Sequence, residues 1–324
     1  MGPKVRAWYE RRTSSRVDWP LADLLDRKGT TRVSVVLPAL DEERTVGAVV
    51  ATVRRELMDA VPLVDELLVV DSGSRDATAT AAAAAGARVV SAADVLPALG
   101  SRPGKGDVLW KSLAATSGDV IVFADTDVTD FRAEFVTGLL GPLLADDEVV
   151  LVKGAYDRPL RAGEAVAPSG GGRVTELVAR PLLNLLFPEL AGVLQPLAGE
   201  YAARRSALEA VPFASGYGVE VGLLVDVLTG WGLDALAQVD LGSRSHRHQD
   251  DAGLGRMAFE ILQTVHARLE RTGRGALLAD PARELTQFSR TGQVWTPVTS
   301  EVAVADRPPM RDVAEYAARA AYAR

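Results

Sequence analysis

Two aspartates spaced two residues apart, Asp125 and Asp127, carry the clearest chemical signal in the chain. They follow an apolar run at residues 120–123, which predicts a buried strand. Alternate residues of an extended segment point to the same side, and open α/β sheets bind ligands at the carboxyl ends of their strands. Two carboxylates this close repel each other unless a cation lies between them, and divalent ions that carry phosphate oxygens suit that position. The segment Asp125-Thr126-Asp127 therefore predicts a metal and diphosphate site.

A second segment, residues 170–175, predicts a site for an anion. Three glycines precede Arg173 and Thr175 at the start of a predicted helix. A glycine-rich helix N-terminus presents backbone N–H groups to an anion, and a guanidinium adds a forked pair of donors. Because an arginine at the positive end of a helix is unfavourable without a nearby anion, the pattern favours phosphate or carboxylate binding over an ordinary loop.

Lys105 and the segment 244–248 add positive charge. Lys105 lies between two glycines in a Pro- and Gly-rich segment, residues 97–106, that predicts a loop before a helix at about residues 108–115. The glycines let the backbone approach an anion, but such a lysine is equally common in surface loops. Arg244, His246 and His248 share one side of the chain if their segment is extended. His246 is a candidate metal ligand and Arg244 a candidate diphosphate partner. A solvated basic loop is the alternative.

Three turns contain further candidate binding residues, but their patterns also suit ordinary helix starts. Residues 38–43 follow the first predicted strand, residues 71–74 follow the second, and residues 217–220 precede a helix. Such turns can contact a nucleobase, a ribose or a sugar, and the same acidic and hydroxyl residues cap helices. From these residues alone both interpretations stay open.

The elements that would position these residues alternate between strand and helix. Apolar runs typical of buried strands occur at residues 33–37, 67–70 and 120–123, a further strand is predicted at residues 88–91, and helical patterns lie between them. This alternation predicts a doubly wound, mostly parallel sheet flanked by helices. No G-x-G-x-x-G segment follows the first strand, which disfavours a dinucleotide-binding dehydrogenase. The less regular second half predicts a strand at residues 149–152, helices at residues 177–186, 219–228 and 257–269, and a helical end of the tail.

Composition excludes several classes of protein. The 324 residues are 48% hydrophobic and 24% charged, which is typical of globular domains. A net charge of −7 argues against a nucleic-acid-binding protein. The chain has no cysteine, which excludes disulfides and thiolate metal sites. No apolar run reaches about 18 residues and the N-terminus has no apolar signal core, so we expect a cytoplasmic protein without a membrane span.

Taken in order, these segments resemble the glucosyl-3-phosphoglycerate synthase family of retaining GT-A glycosyltransferases. The matching segments are residues 34–43, 71–74, 102–106, 125–127, 170–183, 194–203, 213–222 and 244–248. The long match at residues 170–183 is the most specific of them. The resemblance covers roughly residues 30–310.

The resemblance implies a fold, a reaction and a cofactor. The fold is GT-A: a Rossmann-like, mostly parallel sheet flanked by helices, with a helical, less regular C-terminal part. The reaction moves glucose from UDP-glucose to the 2-hydroxyl of 3-phosphoglycerate, with retention of the α configuration, as an early step of methylglucose lipopolysaccharide synthesis. The cofactor is Mg²⁺ or Mn²⁺. Members of the family tend to form homodimers through C-terminal elements.

The resemblance also implies a role for individual residues. Those that would bind the nucleotide sugar are Pro38, Ala39, Leu40, Asp41, Glu42, Ser72, Lys105, Asp125, Thr126, Tyr217, Glu220 and Arg244. Those that would bind the acceptor are Gly172, Arg173, Val174, Thr175 and His248. Asp127 and His246 would bind the metal. The catalytic candidates are Glu220, Arg244 and Leu197, the last through its backbone carbonyl.

One departure from the family concerns His248, which stands where members often have Asn. An imidazole also donates to an oxyanion, but its charge varies with pH, so we expect acceptor affinity to depend on pH. Replacing His248 with Asn tests this expectation, which fails if the pH profile of the acceptor KM stays the same. Ala198 stands where a Ser is also found, with a bearing on donor choice.

The resemblance divides the chain into four parts. They are an N-terminal arm (1–30), a nucleotide-sugar-binding half (31–150), an acceptor-binding half of the same domain (151–296) and a helical, dimer-forming tail (297–324). The nearest alternative is a related transferase that uses GDP-mannose to make mannosyl-3-phosphoglycerate. A sugar nucleotidyltransferase would instead need a Gly-rich, Arg-bearing loop at residues 38–40. A nucleotide sensor without activity would not need Asp127, His246 and Arg173 together.

Overall fold

A computed structural model describes residues 2–157, 160–162, 165–167, 172–243, 251–274, 284–291, 294–301 and 304–322. Within these ranges the strands are β1 (Thr13–Ser15), β2 (Val33–Ala39), β3 (Glu66–Asp71), β4 (Arg88–Ser91), β5 (Val120–Phe123), β6 (Leu151–Asp157), β7 (Leu160–Ala162), β8 (Ala165–Ala167), β9 (Tyr201–Arg204), β10 (Phe213–Ala214), β11 (Leu236–Ser243), β12 (Glu284–Thr291), β13 (Val294–Glu301) and β14 (Asp306–Arg307).

Helices cover much of the remaining chain. The α-helices are α1 (Pro3–Arg12), α2 (Leu21–Lys28), α3 (Val46–Arg54), α4 (Thr78–Ala84), α5 (Lys105–Ala115), α6 (Ala133–Ala145), α7 (Arg180–Leu186), α8 (Arg205–Ala210), α9 (Val219–Trp231), α10 (Asp251–Thr272) and α11 (Ala314–Tyr322). Wider π-helical turns extend α3 at its end (Arg55–Asp59) and α7 at its start (Thr175–Ala179). No helix in the described ranges is long and apolar enough to cross a bilayer.

One mixed sheet forms the centre of the described structure. Its eight strands run in the order β1-β11-β6-β9-β5-β2-β3-β4. All neighbours are parallel except at β9, which is antiparallel to both β5 and β6. The prediction of a mostly parallel sheet flanked by helices is therefore confirmed.

The alternation of side chains along the central strands explains why helices cover both faces. In β5, Ile121 and Phe123 belong to the apolar cluster that packs α5 and α9, whereas Val120 and Val122 belong to the cluster that packs α3 and α6. Successive strand residues point to opposite faces, so an uninterrupted apolar run is what a strand buried on both sides requires. The parallel strands all end on the same side of the sheet, where the candidate residues lie.

The N-terminal residues form part of the sheet's packing. The side chain of Trp8 in α1 is buried, and its Nε1 donates a hydrogen bond to Leu236 O at 2.9 Å. β1 then pairs in parallel with β11 and forms one edge of the sheet. The polar composition of this region did not predict a strand, because β1 has three residues and no buried side chain.

The loop before α5 is shorter than the sequence predicted. The Pro- and Gly-rich segment predicted a loop through Gly106, but the helix begins at Lys105, directly after Gly104 with φ of 105°. Asp107 anchors this first turn, because its Oδ2 accepts a hydrogen bond from Arg102 N at 3.0 Å and its own N–H donates to Ser215 O at 3.2 Å. Lys105 therefore lies on a helix and not in a free loop.

Candidate active site

A cavity of about 810 Å³ lies at the carboxyl ends of β2, β3, β4, β5 and β6. This is the edge at which open α/β sheets bind ligands. The predicted site residues that line the cavity are Pro38, Ala39, Leu40, Ser72, Lys105, Asp125, Thr126, Asp127, Gly172, Arg173, Val174, Thr175, Leu197, Tyr217 and Glu220. The structure thus brings the predicted donor and acceptor segments to one space.

Asp125, on the loop after β5, is paired with Lys105. Lys105 Nζ lies 2.5 Å from Asp125 Oδ1 and 3.4 Å from Glu220 Oε1. Burial by itself would lower the pKa of Lys105, but the carboxylates of Asp125 and Glu220 outweigh it and raise that pKa well above its usual value. Lys105 therefore remains an ammonium that lines the cavity beside the carboxylates of Asp125 and Glu220.

Thr126 and Asp127 have different environments. The side chain of Thr126 is buried, and its Oγ1 donates to Pro38 O at 3.0 Å, which joins the β5 loop to the end of β2. Asp127 is half-buried and lines the cavity. Because neighbouring residues on this segment face different ways, the loop presents Asp127 to a ligand while Thr126 fixes the loop itself.

The carboxylate of Asp127 is a suitable ligand for a hard divalent ion. In the described part of the chain, no three His, Asp or Glu side chains gather as a metal-binding group. A carboxylate is nevertheless a ligand that Mg²⁺ and Mn²⁺ prefer, and Mg²⁺ usually takes one or two carboxylates together with phosphate oxygens and water. The donor chemistry of Asp127 therefore fits a metal that arrives with a diphosphate.

The predicted anion-binding segment begins the helix at the other end of the cavity. Gly172 has φ of 81°, a conformation that glycine adopts without strain, and its carbonyl accepts a hydrogen bond from Glu176 N at 3.0 Å. Arg173 is exposed, while Val174 and Thr175 are buried against the cavity wall. The segment therefore places an accessible guanidinium at a helix start, as expected for an anion site.

Asp41 and Glu42 lie beside the cavity and do not line it. Asp41 has φ of 55°, its Oδ1 accepts a hydrogen bond from Arg75 N at 2.8 Å, and its own N–H donates to Ser74 Oγ at 3.0 Å. Glu42 Oε2 accepts a hydrogen bond from Thr45 Oγ1 at 3.0 Å. The two bonds of Asp41 join the turn after β2 to the turn after β3, and the Glu42 bond lies within the first of these turns. The two carboxylates thus hold the loop that carries Pro38, Ala39 and Leu40.

The turn that precedes α9 presents Tyr217 and Glu220. Tyr217 N donates to Glu260 Oε2 on α10 at 2.7 Å, and the tyrosine side chain is partly exposed at the cavity. Glu220 is buried in the first turn of α9 and faces Lys105.

Gly199 contributes to the site through the side chain it lacks. A Cβ atom at this position would lie 2.3 Å from Asp125 Oδ2 and 2.5 Å from Lys105 Nζ. Only glycine lets the segment before β9 approach this ion pair so closely. The residue belongs to the matching segment 194–203, but no local pattern in the sequence reveals its contact with Asp125.

Lys153, on β6, is a second lysine near the site, and unlike Lys105 it was not predicted from the sequence. It is 2% exposed, donates to Ala198 O at 2.5 Å, and lies 4.7 Å from the centre of the Tyr201 ring. Burial lowers its pKa to about 8. The signal in the sequence that could have identified Lys153 is a charged residue inside an otherwise apolar run. Its position fixes Ala198, the neighbour of Leu197.

Three predicted site residues lie outside the described part of the chain. They are Arg244, His246 and His248. Gly170 and Gly171 of the predicted anion segment also lie outside it. Their assigned roles stay predictions.

Sequence comparisons match most of the chain to known proteins. A family model described as Glycosyl transferase family 2 matches residues 34–172, which run from β2 to the start of the anion segment. The glucosyl-3-phosphoglycerate synthase of Mycolicibacterium smegmatis is 53% identical over 303 residues, which cover 94% of this chain and 97% of that protein.

Solved structures are similar over nearly the whole chain. Glucosyl-3-phosphoglycerate synthase from Mycobacterium tuberculosis, in complex with Mn²⁺, UDP-glucose and phosphoglyceric acid, superposes with a TM-score of 0.81 at 47% identity, covering 93% of this chain and 98% of that one. The same enzyme has been solved with Mg²⁺ and UDP, with a TM-score of 0.81. Mannosyl-3-phosphoglycerate synthase from Rubrobacter xylanophilus has a TM-score of 0.88 at 39% identity, covering 97% and 99%.

Proposed function

The chain belongs to the glucosyl-3-phosphoglycerate synthases of glycosyl transferase family 2, and from this we propose that its cavity transfers glucose from UDP-glucose to 3-phosphoglycerate. The products are glucosyl-3-phosphoglycerate and UDP. One observation carries the assignment: Asp127 and the Lys105–Asp125 pair line the same cavity as Arg173 and Thr175. A diphosphate-binding end and an anion-binding end in one cavity match the two substrates of this reaction.

We assign the donor to the end formed by the β2, β3 and β5 loops. Pro38, Ala39, Leu40 and Ser72 would contact the uridine, in a turn that Asp41 and Glu42 hold in place. Mg²⁺ or Mn²⁺ is the cofactor, with Asp127 and His246 as its proposed protein ligands. When bound, the ion neutralises charge on the diphosphate.

We assign the acceptor to the start of the helix at residues 172–175. Arg173 supplies a guanidinium and Thr175 a hydroxyl near the helix N-terminus, a combination suited to the phosphate and carboxylate of 3-phosphoglycerate. His248 would contact the same molecule. The proposed division is a donor half (31–150), an acceptor half (151–296), an arm (1–30) and a tail (297–324).

The proposed chemistry is attack on the same face of the sugar that the leaving group occupies, so that the α configuration is retained. The bond from the anomeric carbon to the β-phosphate oxygen breaks, and the 2-hydroxyl oxygen of the acceptor forms the new bond. The hydroxyl proton passes to the departing phosphate. Lys105 and Arg244 stabilise the negative charge that develops there, and the Leu197 carbonyl and Glu220 orient the reacting sugar.

Acceptor-dependent release of UDP tests this function. The wild-type chain, incubated with UDP-glucose, 3-phosphoglycerate and Mg²⁺, should release UDP at a rate that depends on the acceptor concentration. UDP release that ignores the acceptor, or no release, would contradict the proposal. GDP-mannose in a parallel reaction tests the second candidate donor, which the likeness to the mannosyl-3-phosphoglycerate synthase structure favours.

Two further properties follow from the family. We propose that the enzyme forms a homodimer through its tail, and light scattering after gel filtration should give twice the mass of one chain. We also propose that it acts in the cytoplasm, because both substrates are phosphorylated metabolites. Fractionation of the source cells that leaves the activity in the membrane or the medium would contradict this location.

A further inference from the structure

A segment near the C-terminus packs beside the donor end of the cavity. Strand β14 pairs antiparallel with β10, in the register Phe213↔Arg307. Trp110 Nε1 in α5 donates to Pro308 O at 2.9 Å, and Arg102 donates to Asp306 O at 2.6 Å. The segment therefore contacts both the loop before α5 and the strand that leads to the Tyr217 turn.

Arg307 is the central residue of this contact. It is 4% exposed, and its Nε lies 2.6 Å from Asp107 Oδ1. Its two terminal nitrogens donate to Leu99 O and Gly100 O, both at 2.9 Å. The guanidinium also lies 4.9 Å from the centre of the Trp110 ring. A lysine could not reproduce these contacts, because its ammonium lacks the planar, forked arrangement of donors of a guanidinium.

Asp107, the partner of Arg307, lies two residues after Lys105 in the first turn of α5. It is 1% exposed, and its two carboxylate oxygens bind Arg307 and the backbone of Arg102. An unpaired carboxylate buried to this degree would be costly, so Asp107 depends on Arg307. The pair thus fixes where α5 begins and, with it, the position of Lys105.

Close packing leaves the start of α5 little room to move. A Cβ atom on Gly104 would lie 2.7 Å from Ser215 O, and one on Gly106 would lie 1.8 Å from Ala214 O. Because β14 pairs with the strand that ends at Ala214, the same segment supports the surface against which these glycines pack. A displacement of Arg307 would therefore move Lys105 through two connections. One is the ion pair with Asp107, and the other is the packing of β10 against Gly104 and Gly106.

We propose that Arg307 is a positioning residue for glucosyl transfer: its ion pair with Asp107 holds the start of α5 so that Lys105 stays between Asp125 and Glu220 and faces the diphosphate. Arg307 does not line the cavity and acts through Lys105. The inference rests on the proposed function, since it takes a nucleoside diphosphate as the ligand of the Lys105 end.

The first test compares UDP binding by Arg307→Lys and Arg311→Lys in the presence of Mn²⁺. Arg307→Lys keeps the positive charge but loses the forked donors that hold Asp107 and the start of α5. UDP should therefore bind about tenfold more weakly, whereas the KM for 3-phosphoglycerate should stay unchanged. Arg311 lies nearby with a side chain 64% exposed, and its substitution should stay within about twofold of wild type. Equal UDP affinity of the two variants would overturn the inference.

A double-mutant cycle with Lys105 separates positioning from general stabilisation. Once Lys105→Met has removed the positioned ammonium, adding Arg307→Lys should weaken UDP binding by less than about twofold. Additive losses would overturn the inference, because Arg307 would then act independently of Lys105. If Arg307→Lys melts below the assay temperature, Asp107→Asn takes its place in the cycle, with the same two outcomes.

The same experiment distinguishes this inference from the proposed function. A wild-type chain that binds no UDP would overturn the proposed function and the inference together. Normal UDP binding by the wild type, with equal binding by Arg307→Lys, would overturn the inference alone.

Discussion

Asp125 and Asp127 share one loop and have different surroundings. Asp125 is paired with Lys105 at 2.5 Å, whereas Asp127 lines the cavity as a candidate metal ligand. We expect Asp127→Asn to lower kcat by at least about a hundredfold and to remove the Mn²⁺ dependence of UDP binding, because one metal ligand is lost. Calorimetry with UDP, with and without Mn²⁺, measures this. Asp147→Asn, a fully exposed position, is the control, and UDP binding that still depends on Mn²⁺ in Asp127→Asn would contradict the assignment.

Gly199 offers a second test at the scale of one residue. A methyl group at this position would collide with Asp125 and Lys105, so Gly199→Ala should separate the pair and reduce kcat/KM for UDP-glucose about tenfold or more. Gly230→Ala is the matched control, because its Cβ would meet nothing within 4 Å in α9 and alanine favours a helix. Wild-type kinetics for Gly199→Ala would show that the pair has room to move.

Lys153 predicts a dependence of stability on pH. Its folded pKa is about 8 and its ordinary value is 10.5, so between these values the unfolded chain binds more protons and the folded state gains stability as pH rises. The expected gain across this window is on the order of 2–3 kcal/mol. Urea unfolding at pH 8 and pH 10 measures it for the wild type and for Lys153→Met, which should lose the gain. Lys4→Met, at an exposed position, should keep it.

The sequence predicted those site residues that belong to local motifs. The segments at residues 38–40, 125–127 and 172–175 are local patterns, and all line the cavity. The sequence did not predict a role for Gly199, Lys153 or Arg307, because their contacts join residues that are far apart in the chain. Arg307 and Asp107 are 200 residues apart, and neither has a local signature.

At the scale of elements, the N-terminal region stabilises the sheet. The side chain of Trp8 is 1% exposed and bonds to the backbone at the start of β11. Trp8→Ala should reduce the free energy of unfolding by about 3–5 kcal/mol, because it leaves a large cavity and an unpaired carbonyl. Trp231→Ala, at a side chain 43% exposed, should cost much less. Equal losses in urea unfolding would mean that α1 does not pack as the structure describes.

The sequence predicted the parallel strands more easily than the antiparallel one. Strand β5 occurs at the predicted residues, because its uninterrupted apolar run is typical of a strand buried on both faces. Strand β4 also occurs at the predicted residues, although its Arg-Val-Val-Ser sequence is only partly buried. Strand β9 was not predicted. Its Tyr-Ala-Ala-Arg sequence has little β-branched or aromatic character, and its position between β5 and β6 depends on the tertiary structure.

Across the whole chain, one sheet supports both of the proposed substrate-binding ends of the cavity. The loops proposed to bind the donor follow β2, β3 and β5. The predicted anion segment belongs to the second half of the chain, and β9 and β6 join that half to the same sheet. The GT-A fold predicted from the motifs is confirmed by the likeness to solved members of the family. The tail closes the arrangement, because β14 supports the start of α5.

The transfer proposed for this cavity joins glucose to 3-phosphoglycerate. The most direct measurement is mass spectrometry and proton NMR of the product formed from UDP-glucose, 3-phosphoglycerate and Mg²⁺. We expect one hexose added to 3-phosphoglycerate, an α-anomeric signal, a linkage to the 2-oxygen, and loss of this product with Asp127→Asn. Free glucose as the sole sugar product, a β-linked product, or an unchanged yield from Asp127→Asn would contradict this expectation.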